Sequence, residues 1–217
     1  MTASTDTLTT PIGLVGAGLI GGTLARLFAT SGHEVAVANS RGPQTLGELV
    51  AELGGRGRAV TVEEALGFGP IAVVSIPLGR IDELPTTVPD GTIVIDTNNY
   101  YPSRDGQIAA LDDHTTTSSE LLQRRLPNTR VVKAFNAINW RRLADDGTPA
   151  GDPARLAIPI SGDDAEAKAA VAALIDQIGF EAIDNGSLAD GRRHEPGAPS
   201  YGAHVGAPET RRLLAEA

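Results

Sequence analysis

Three glycines, Gly16, Gly18 and Gly21, stand in "GAGLIG" between a short apolar run and a helical pattern. In that setting each has its own reason: the first permits a tight turn, the second lets backbone approach a pyrophosphate, and the third allows a helix to pack closely on a strand. A helix starting here directs free N–H groups and the positive end of its dipole at the phosphates. The spacing alone is a weak signal. A strand before it, an amphipathic helix after it and a second strand in place turn it into a dinucleotide site. Leu19 and Ile20, inside the motif, are counted with the three glycines as cofactor contacts.

In the usual fingerprint, an acid about 20 residues further on accepts hydrogen bonds from the adenosine ribose, and its charge would repel a 2′-phosphate. Here the second strand is followed by Asn39, Ser40 and Arg41, and Glu34 lies at the strand's opposite end. Two short polar side chains and a guanidinium can grip a phosphate. They could instead merely begin a surface loop. Their register with the fingerprint favours a 2′-phosphate, and so NADP(H) over NAD(H).

Open α/β sheets bind ligands at the carboxyl ends of their strands. Ser75, Ile76 and Pro77 follow a fourth strand and Asn98 and Asn99 a fifth, where amides and backbone could hold a nicotinamide and its ribose. "KAFNAIN" ends a sixth strand and brings Lys133, Ala134 and Asn136 to the same edge. Lys133 and Asn136 are the substrate-facing candidates. Lys133 reads equally as a functional amine or as a strand-end lysine that snorkels, and Asn136 as a partner for a second ring system or a turn cap.

Other chemistry finds little support. His33, His114, His194 and His204 form no pair at metal-ligand spacing, so no metal site is expected. There is no GxSxG elbow. Hydride transfer between two ring cofactors asks mainly for alignment and exclusion of water, which fits a chain with no assigned catalytic acid or base.

The elements that must position these residues follow from periodicity. Ile12 to Val15 is a strand, Ile20, Leu24, Leu27 and Phe28 line one face of a helix that Gly32 ends, and "EVAVA" is the next strand. A helix from Pro43 carries Leu46, Leu49, Val50 and Leu53 and stops at Gly54; "RAVTV" is a third strand. Thr61 with Glu64, and Thr117 with Glu120, have capping-box spacing. "IAVVSIP" and "TIVIDTNN" are nearly unbroken apolar runs that suit central parallel strands. Residues 101–117 form a polar loop with a short helix, either a lid or a long connection. "RVVKAF", "LAIPISG" and "FEAID" are further strands, with a helix from Asp164 to Ile178 between the last two and Gly179 closing it. The alternation predicts a doubly wound, mainly parallel Rossmann-type sheet with a small C-terminal α/β extension. Residues 1–10 read as a loose tail. Residues 11–217 read as a single domain, with 151–217 as the extension that forms part of a second substrate site.

With 217 residues, 41% of them hydrophobic, the chain can bury one substantial core. Its formal charge of −9 disfavours nucleic acid as a partner. It has no cysteine, which removes thiolate chemistry and disulfides. No leader is legible at the start, and no apolar run approaches the ~20 residues of a membrane helix. A cytoplasmic protein without a membrane partner is expected.

"GLVGAGLIGG", "VVSIPL", "IDTNNYYPSRDGQI", "RVVKAFNAIN" and "IPISGDDAEAKAAV", in this order, resemble the NADPH-dependent coenzyme F420 reductase family, or F420H2:NADP oxidoreductases. The similarity runs from Ile12 to about Gly191. The same segments resemble the NADPH-binding part of six-transmembrane epithelial metalloreductases, whose membrane portion has no counterpart in this sequence. The resemblance implies an NADP site at Gly16, Gly18, Gly21, Ser40 and Arg41, with the nicotinamide near Ile76, Pro77 and Ala134. It further implies a deazaflavin stacked on the nicotinamide and partly roofed by the C-terminal segment, direct hydride transfer, and a homodimer. Two departures concern the second substrate. Asn136 stands where archaeal members have a histidine, and the Gly/Pro-rich end after Asp190 replaces a longer apolar helix. A deazaflavin, a flavin, or a small carbonyl or imine remain the candidates. Hydroxyacid dehydrogenases and imine reductases share the N-terminal fold but need a long helical C-terminal domain. A non-catalytic NADP-sensing module is the remaining reading.

Overall fold

The computed structural model describes residues 9–217; most of the expected N-terminal tail therefore lies outside the described residues. The chain opens as strand, helix, strand: β1 (Ile12–Val15), α1 (Leu19–Thr30) and β2 (Val35–Ala38). Gly32, at φ +100°, turns the chain out of α1. Next come α2 (Gly47–Glu52), β3 (Gly57–Ala59), α3 (Val62–Leu66) and β4 (Ile71–Val74). They are followed by β5 (Ile93–Asp96), α4 (Pro102–Asp105), α5 (Ala109–Asp112), α6 (Ser118–Arg125) and β6 (Arg130–Lys133). The C-terminal part is α7 (Trp140–Asp145), β7 (Ala157–Gly162), α8 (Ala165–Gln177), β8 (Glu181–Asp184) and α9 (Ala207–Ala215).

The strands form one sheet in the order β3-β2-β1-β4-β5-β6-β7-β8. All neighbours are parallel except β6 and β7, which run antiparallel. Every residue of β1, β2, β4 and β5 is buried, because helices cover both faces. One face packs Leu24 and Phe28 of α1, Leu143 of α7 and Val171 and Ile175 of α8. The other packs Leu66 of α3, Leu122 of α6, Leu78 of the 3-10 turn after β4 and Leu126 at the end of α6. The expected doubly wound α/β sheet is what the chain forms, and the order reverses between β1 and β4, which opens a crevice above their carboxyl ends.

Three expectations change in detail. The helix expected from Pro43 is a 3-10 turn, Pro43–Thr45, followed by the separate α2, although Leu46 and Leu53 still reach the core. The third strand stops at Ala59 because Thr61 caps α3, with both halves of its capping box formed, so Val62 belongs to the helix. The second capping box, Thr117 with Glu120, opens α6 as expected. Residues 101–117 hold two short helices instead of one. Asp105 accepts from Tyr101 N and Gly79 N, and the Tyr100 hydroxyl links Ile108 N to Asp112, so this segment is tied to the strand ends.

Candidate active site

The three glycines occupy different environments, and these separate their roles. At Gly16, φ is +106° and a Cβ would sit 2.0 Å from the Ser75 carbonyl oxygen, so the turn and the approach of β4 both require glycine. A Cβ on Gly21 would lie 1.9 Å from the Gly16 carbonyl oxygen, which is the close helix-to-turn packing. Gly18 has nothing within 4 Å of where its Cβ would be and an ordinary φ of −77°. Neither packing nor backbone conformation demands glycine there, and the position faces open space. Gly18 is also the N-cap of the 12-residue α1 and supplies no side-chain cap, which leaves first-turn N–H groups directed at that space.

A cleft of about 480 Å³ extends from this turn. It is lined by the glycine turn, by Asn39, Ser40 and Arg41 after β2 and by Ser75, Ile76 and Pro77 after β4, the strands on either side of β1, and further by residues of α3 and of the 3-10 turn that follows β4. Ser40 and Arg41 are exposed, whereas Asn39 is committed to the turn itself. Its Oδ1 accepts from Arg41 N at 2.9 Å and its Nδ2 donates to Thr45 Oγ1 at 2.9 Å. Gln44 Nε2 donates to the Arg41 carbonyl, and Arg41 lines the cleft. Leu19 is 63% exposed at the turn, while Ile20 packs against the core beneath it.

On the β4–β5 side, Asn98 Oδ1 accepts from Ile76 N at 2.9 Å. Asn98 Nδ2 is buried without a partner, a donor held at the strand ends where a carboxamide or ribose hydroxyl would be received. Together with the space at Gly18, this orphan donor makes the residues present fit a nicotinamide dinucleotide.

Lys133 and Asn136 turn out to be interior groups. Lys133 is fully buried and does not snorkel. Its Nζ donates to Ser118 Oγ at 2.7 Å, Asn98 O at 3.1 Å and Ser119 Oγ at 3.2 Å, and lies 3.2 Å from Glu195 and 3.9 Å from Asp96. Asn136 neither caps a turn nor presents a free amide. Its Nδ2 donates to Asn99 Oδ1 and to the His194 carbonyl, and its Oδ1 pairs with His194 Nδ1 at 2.8 Å. Because that oxygen can only accept, His194 Nδ1 carries the proton and Nε2 accepts from Ser161 Oγ at 2.9 Å. Ser161 Oγ in turn accepts from Asn185 Nδ2. Ala134 is buried beside them, and Phe135 takes φ +62°, an uncommon conformation that turns the chain sharply out of β6.

Burial disfavours charge in this cluster. It pushes the Asp96 carboxyl up despite the nearby Lys133 ammonium, and it pushes the His194 imidazole well down, helped by the same ammonium. Burial acts against Glu195 too, but Lys133 and the bonds from Ser118 carry its carboxyl below the ordinary value. Sequence reasoning missed Asp96, Ser118, Ser119, His194 and Glu195. One signal existed: Asp96 is a lone acid in an apolar strand, directly in register with Lys133 on the next. Ser118 and Ser119 open α6, and His194 and Glu195 lie at the end of a short 3-10 turn, where no periodicity marks an inward side chain. Arg80 and Glu83, on a 3-10 turn after β4, were missed as well.

Residues 11–100 match the sequence model of the family described as NADP oxidoreductase, coenzyme F420-dependent. Among proteins of known structure, a hypothetical protein from Sinorhizobium meliloti is 29% identical, with a TM-score of 0.78 over 94% of this chain and 98% of that one. A candidate F420-dependent NADP reductase from Arthrobacter sp. is 25% identical, with a TM-score of 0.69 over 85% and 88% of the two chains. An imine reductase from Pseudomonas sp. shares the fold at 16% identity, with a TM-score of 0.62 over 96% of this chain and 62% of its own. Metalloreductase STEAP3 of Rattus norvegicus is 30% identical over 187 residues, which are 85% of this chain but 35% of that protein. The chain thus spans about a third of that relative's length. Among the described residues, no helix is long and apolar enough to cross a membrane. Residues 11–100 are thus similar to the NADP oxidoreductase, coenzyme F420-dependent family, and the chain shares its Rossmann-type fold with these structures.

Proposed function

We propose that the protein is an NADP(H)-dependent oxidoreductase that exchanges a hydride between the nicotinamide and a second ring cofactor, the deazaflavin coenzyme F420. The observation that carries the reading is the pairing of an open glycine at a helix N-terminus, Gly18, with a second strand that is followed by Ser40 and Arg41 and no acid. Bound together, the two cofactors supply the chemistry: NADPH, oxidised deazaflavin and one proton give NADP+ and the reduced deazaflavin.

The chain's own residues bind, orient and exclude water. Backbone N–H groups at Gly18 receive the pyrophosphate, and Ser40 and Arg41 receive the 2′-phosphate. Asn98, fixed through Ile76 N, offers its unpaired Nδ2 to the nicotinamide half beside Pro77 and Ala134. Asn136, Lys133 and the C-terminal segment hold the strand ends shut behind that half. Residues 11–217 act as one unit, and 151–217 form part of the second substrate site. The working form is a soluble, cytoplasmic homodimer with small-molecule cofactors as substrates, which size-exclusion chromatography with light scattering checks for the dimer.

The test mixes the purified protein with NADPH and oxidised F420 and follows the deazaflavin absorbance, with FMN and FAD in parallel. Bleaching of F420 with NADPH and far less with NADH is expected. Transfer to a flavin alone would replace the acceptor by a flavin, and NADPH binding without transfer to any acceptor, small carbonyls and imines included, would make the protein an NADP-sensing module.

A further inference from the structure

Lys133 and Asn136, the groups the sequence offers to a second substrate, are spent inside the protein. Lys133 uses its three protons on Ser118 Oγ, Ser119 Oγ and the Asn98 carbonyl. Asn136 commits its amide to Asn99 and His194. Asn99 is spent as well, since its Nδ2 donates to the Asn136 carbonyl at 2.9 Å and its Oδ1 accepts from Asn136 Nδ2 at 3.0 Å. A second substrate at the ends of β5 and β6 therefore finds no free donor in any of the three.

A donor does stand at this edge. Tyr101 follows β5, Tyr201 belongs to the C-terminal segment, and their hydroxyl oxygens meet at 2.5 Å, short for an O–H···O bond. Neighbouring bonds fix both partners. Tyr101 N donates to Asp105 Oδ2 at 2.9 Å. The Arg104 guanidinium donates to the Asn99 carbonyl at 2.8 Å and lies 4.9 Å from the centre of the Tyr101 ring. Gly202 N donates to the Ala137 carbonyl at 2.9 Å and so anchors Tyr201 to the turn that leaves β6. The pair thus ties together the turns that carry Asn99 and Asn136, at the carboxyl edge where open α/β sheets receive ligands.

Two phenols carry two O–H protons, and the bond between them uses one. Among the described residues neither hydroxyl has another partner, and both residues are half-buried, so the second proton is free for a ligand. Burial, and then the bond to Tyr101, push the Tyr201 phenol above its ordinary value, so near neutral pH it is an uncharged donor and not a base. A donor backed by a second donor suits an oxygen on which negative charge grows as a hydride arrives.

We propose that the Tyr101–Tyr201 pair donates a hydrogen bond to the second substrate, at a carbonyl oxygen conjugated to the carbon that accepts the hydride. This rests on the proposed hydride transfer and names the group by which the acceptor is recognised. One hydroxyl touches the acceptor; the other, with Arg104, positions it.

The experiment compares the unmodified protein with Tyr101→Phe, Tyr201→Phe and the double variant. Stopped-flow absorbance follows hydride transfer from NADPH to whichever of oxidised F420 and FMN the parent reduces, and calorimetry measures affinity for NADPH and, with NADP+ bound, for that acceptor. Each single variant should slow the transfer by about tenfold to a hundredfold, the scale of a donor lost at a developing charge. Acceptor affinity should fall by only about threefold, because the bond strengthens as charge develops, and NADPH affinity should stay within about twofold. The double variant should lose no more than the worse single variant, since the two hydroxyls act as one donor. Losses that multiply in the double variant would overturn the pair as a unit. Transfer within about twofold of the parent in both single variants would overturn the inference and leave the NADP(H) reading standing. Equal losses of NADPH affinity, acceptor affinity and transfer rate, with a lowered melting temperature, would overturn it in favour of a strap that merely holds the C-terminal segment. Failure of the functional reading looks different: the unmodified protein would then pass a hydride to neither F420 nor FMN, and the inference would fall with it.

Discussion

Lys133 Nζ donates to the backbone carbonyl of Asn98 at 3.1 Å, so a lysine of β6 holds the turn that follows β5. Asn98 passes the restraint on, because its Oδ1 accepts from Ile76 N in the cofactor cleft. On its other side Lys133 meets Glu195 in the C-terminal segment at 3.2 Å. A continuous chain of bonds thus links the C-terminal segment to the strand ends where the nicotinamide half is proposed to lie.

Removing the ammonium should leave buried carboxylates uncompensated. Lys133→Met is expected to cost about 3 to 5 kcal/mol of stability, the range for breaking one side of a buried pair. Urea unfolding measures it as a lowered midpoint with an unchanged slope. A loss below 1 kcal/mol, on the order of an exposed pair, would mean that Asp96 and Glu195 are solvated without Lys133.

The glycine motif gives a pair of opposite outcomes. Gly18→Ala has room for its Cβ, so it should fold with an unchanged melting temperature and lose dinucleotide affinity. Gly21→Ala drives its Cβ into the Gly16 carbonyl oxygen and should lower the melting temperature by several degrees. Equal melting temperatures for the two variants would contradict the division of roles.

Specificity for the 2′-phosphate should reside in Arg41. Arg41→Ala is expected to weaken NADPH by about tenfold to a hundredfold, as for a lost charge-assisted hydrogen bond, and NADH by less than twofold. Equal losses for both dinucleotides would sink that assignment.

The buried imidazole makes stability fall in mild acid. His194 has its pKa held well below 6.5 in the folded protein, so below pH 6.5 the unfolded chain takes up a proton that the folded chain refuses. Stability from this group is present above that value and lost as pH falls, by up to about 1.4 kcal/mol per pH unit. Glu195, whose carboxyl lies below its ordinary 4.5, adds a loss only in a lower window. Unfolding curves from pH 7.5 to 5 should steepen this way in the parent and flatten in His194→Gln. Parallel curves would show that His194 protonates freely in the fold.

Local signals made much of the molecule legible. The apolar runs of β4 and β5, the two capping boxes and the glycines at Gly32 and Gly179 each act within a few residues, and each element formed near its expected bounds. Thr61 shows the limit: its cap ends the reach of β3, a contest between neighbouring elements that strand propensity alone does not resolve. Lys133 and Asn136 were recognisable as unusual strand-end residues, yet their partners lie 58 to 62 positions away in Asn136–His194 and Lys133–Glu195, in a Gly/Pro-rich stretch without periodicity.

By itself the sequence determined the elements and the glycine turn before α1, because glycine spacing, caps and apolar periodicity act through backbone sterics and short-range burial. It also determined that Asn39, Ser40 and Arg41, and no acid, follow β2, since those positions are set by register alone. Only the tertiary structure decided that Gly18 faces open space, that Lys133 is an interior anchor, and that the turns after β2 and β4 line one cleft. Those facts depend on which distant segments meet above the sheet, and that is fixed by packing the whole chain at once.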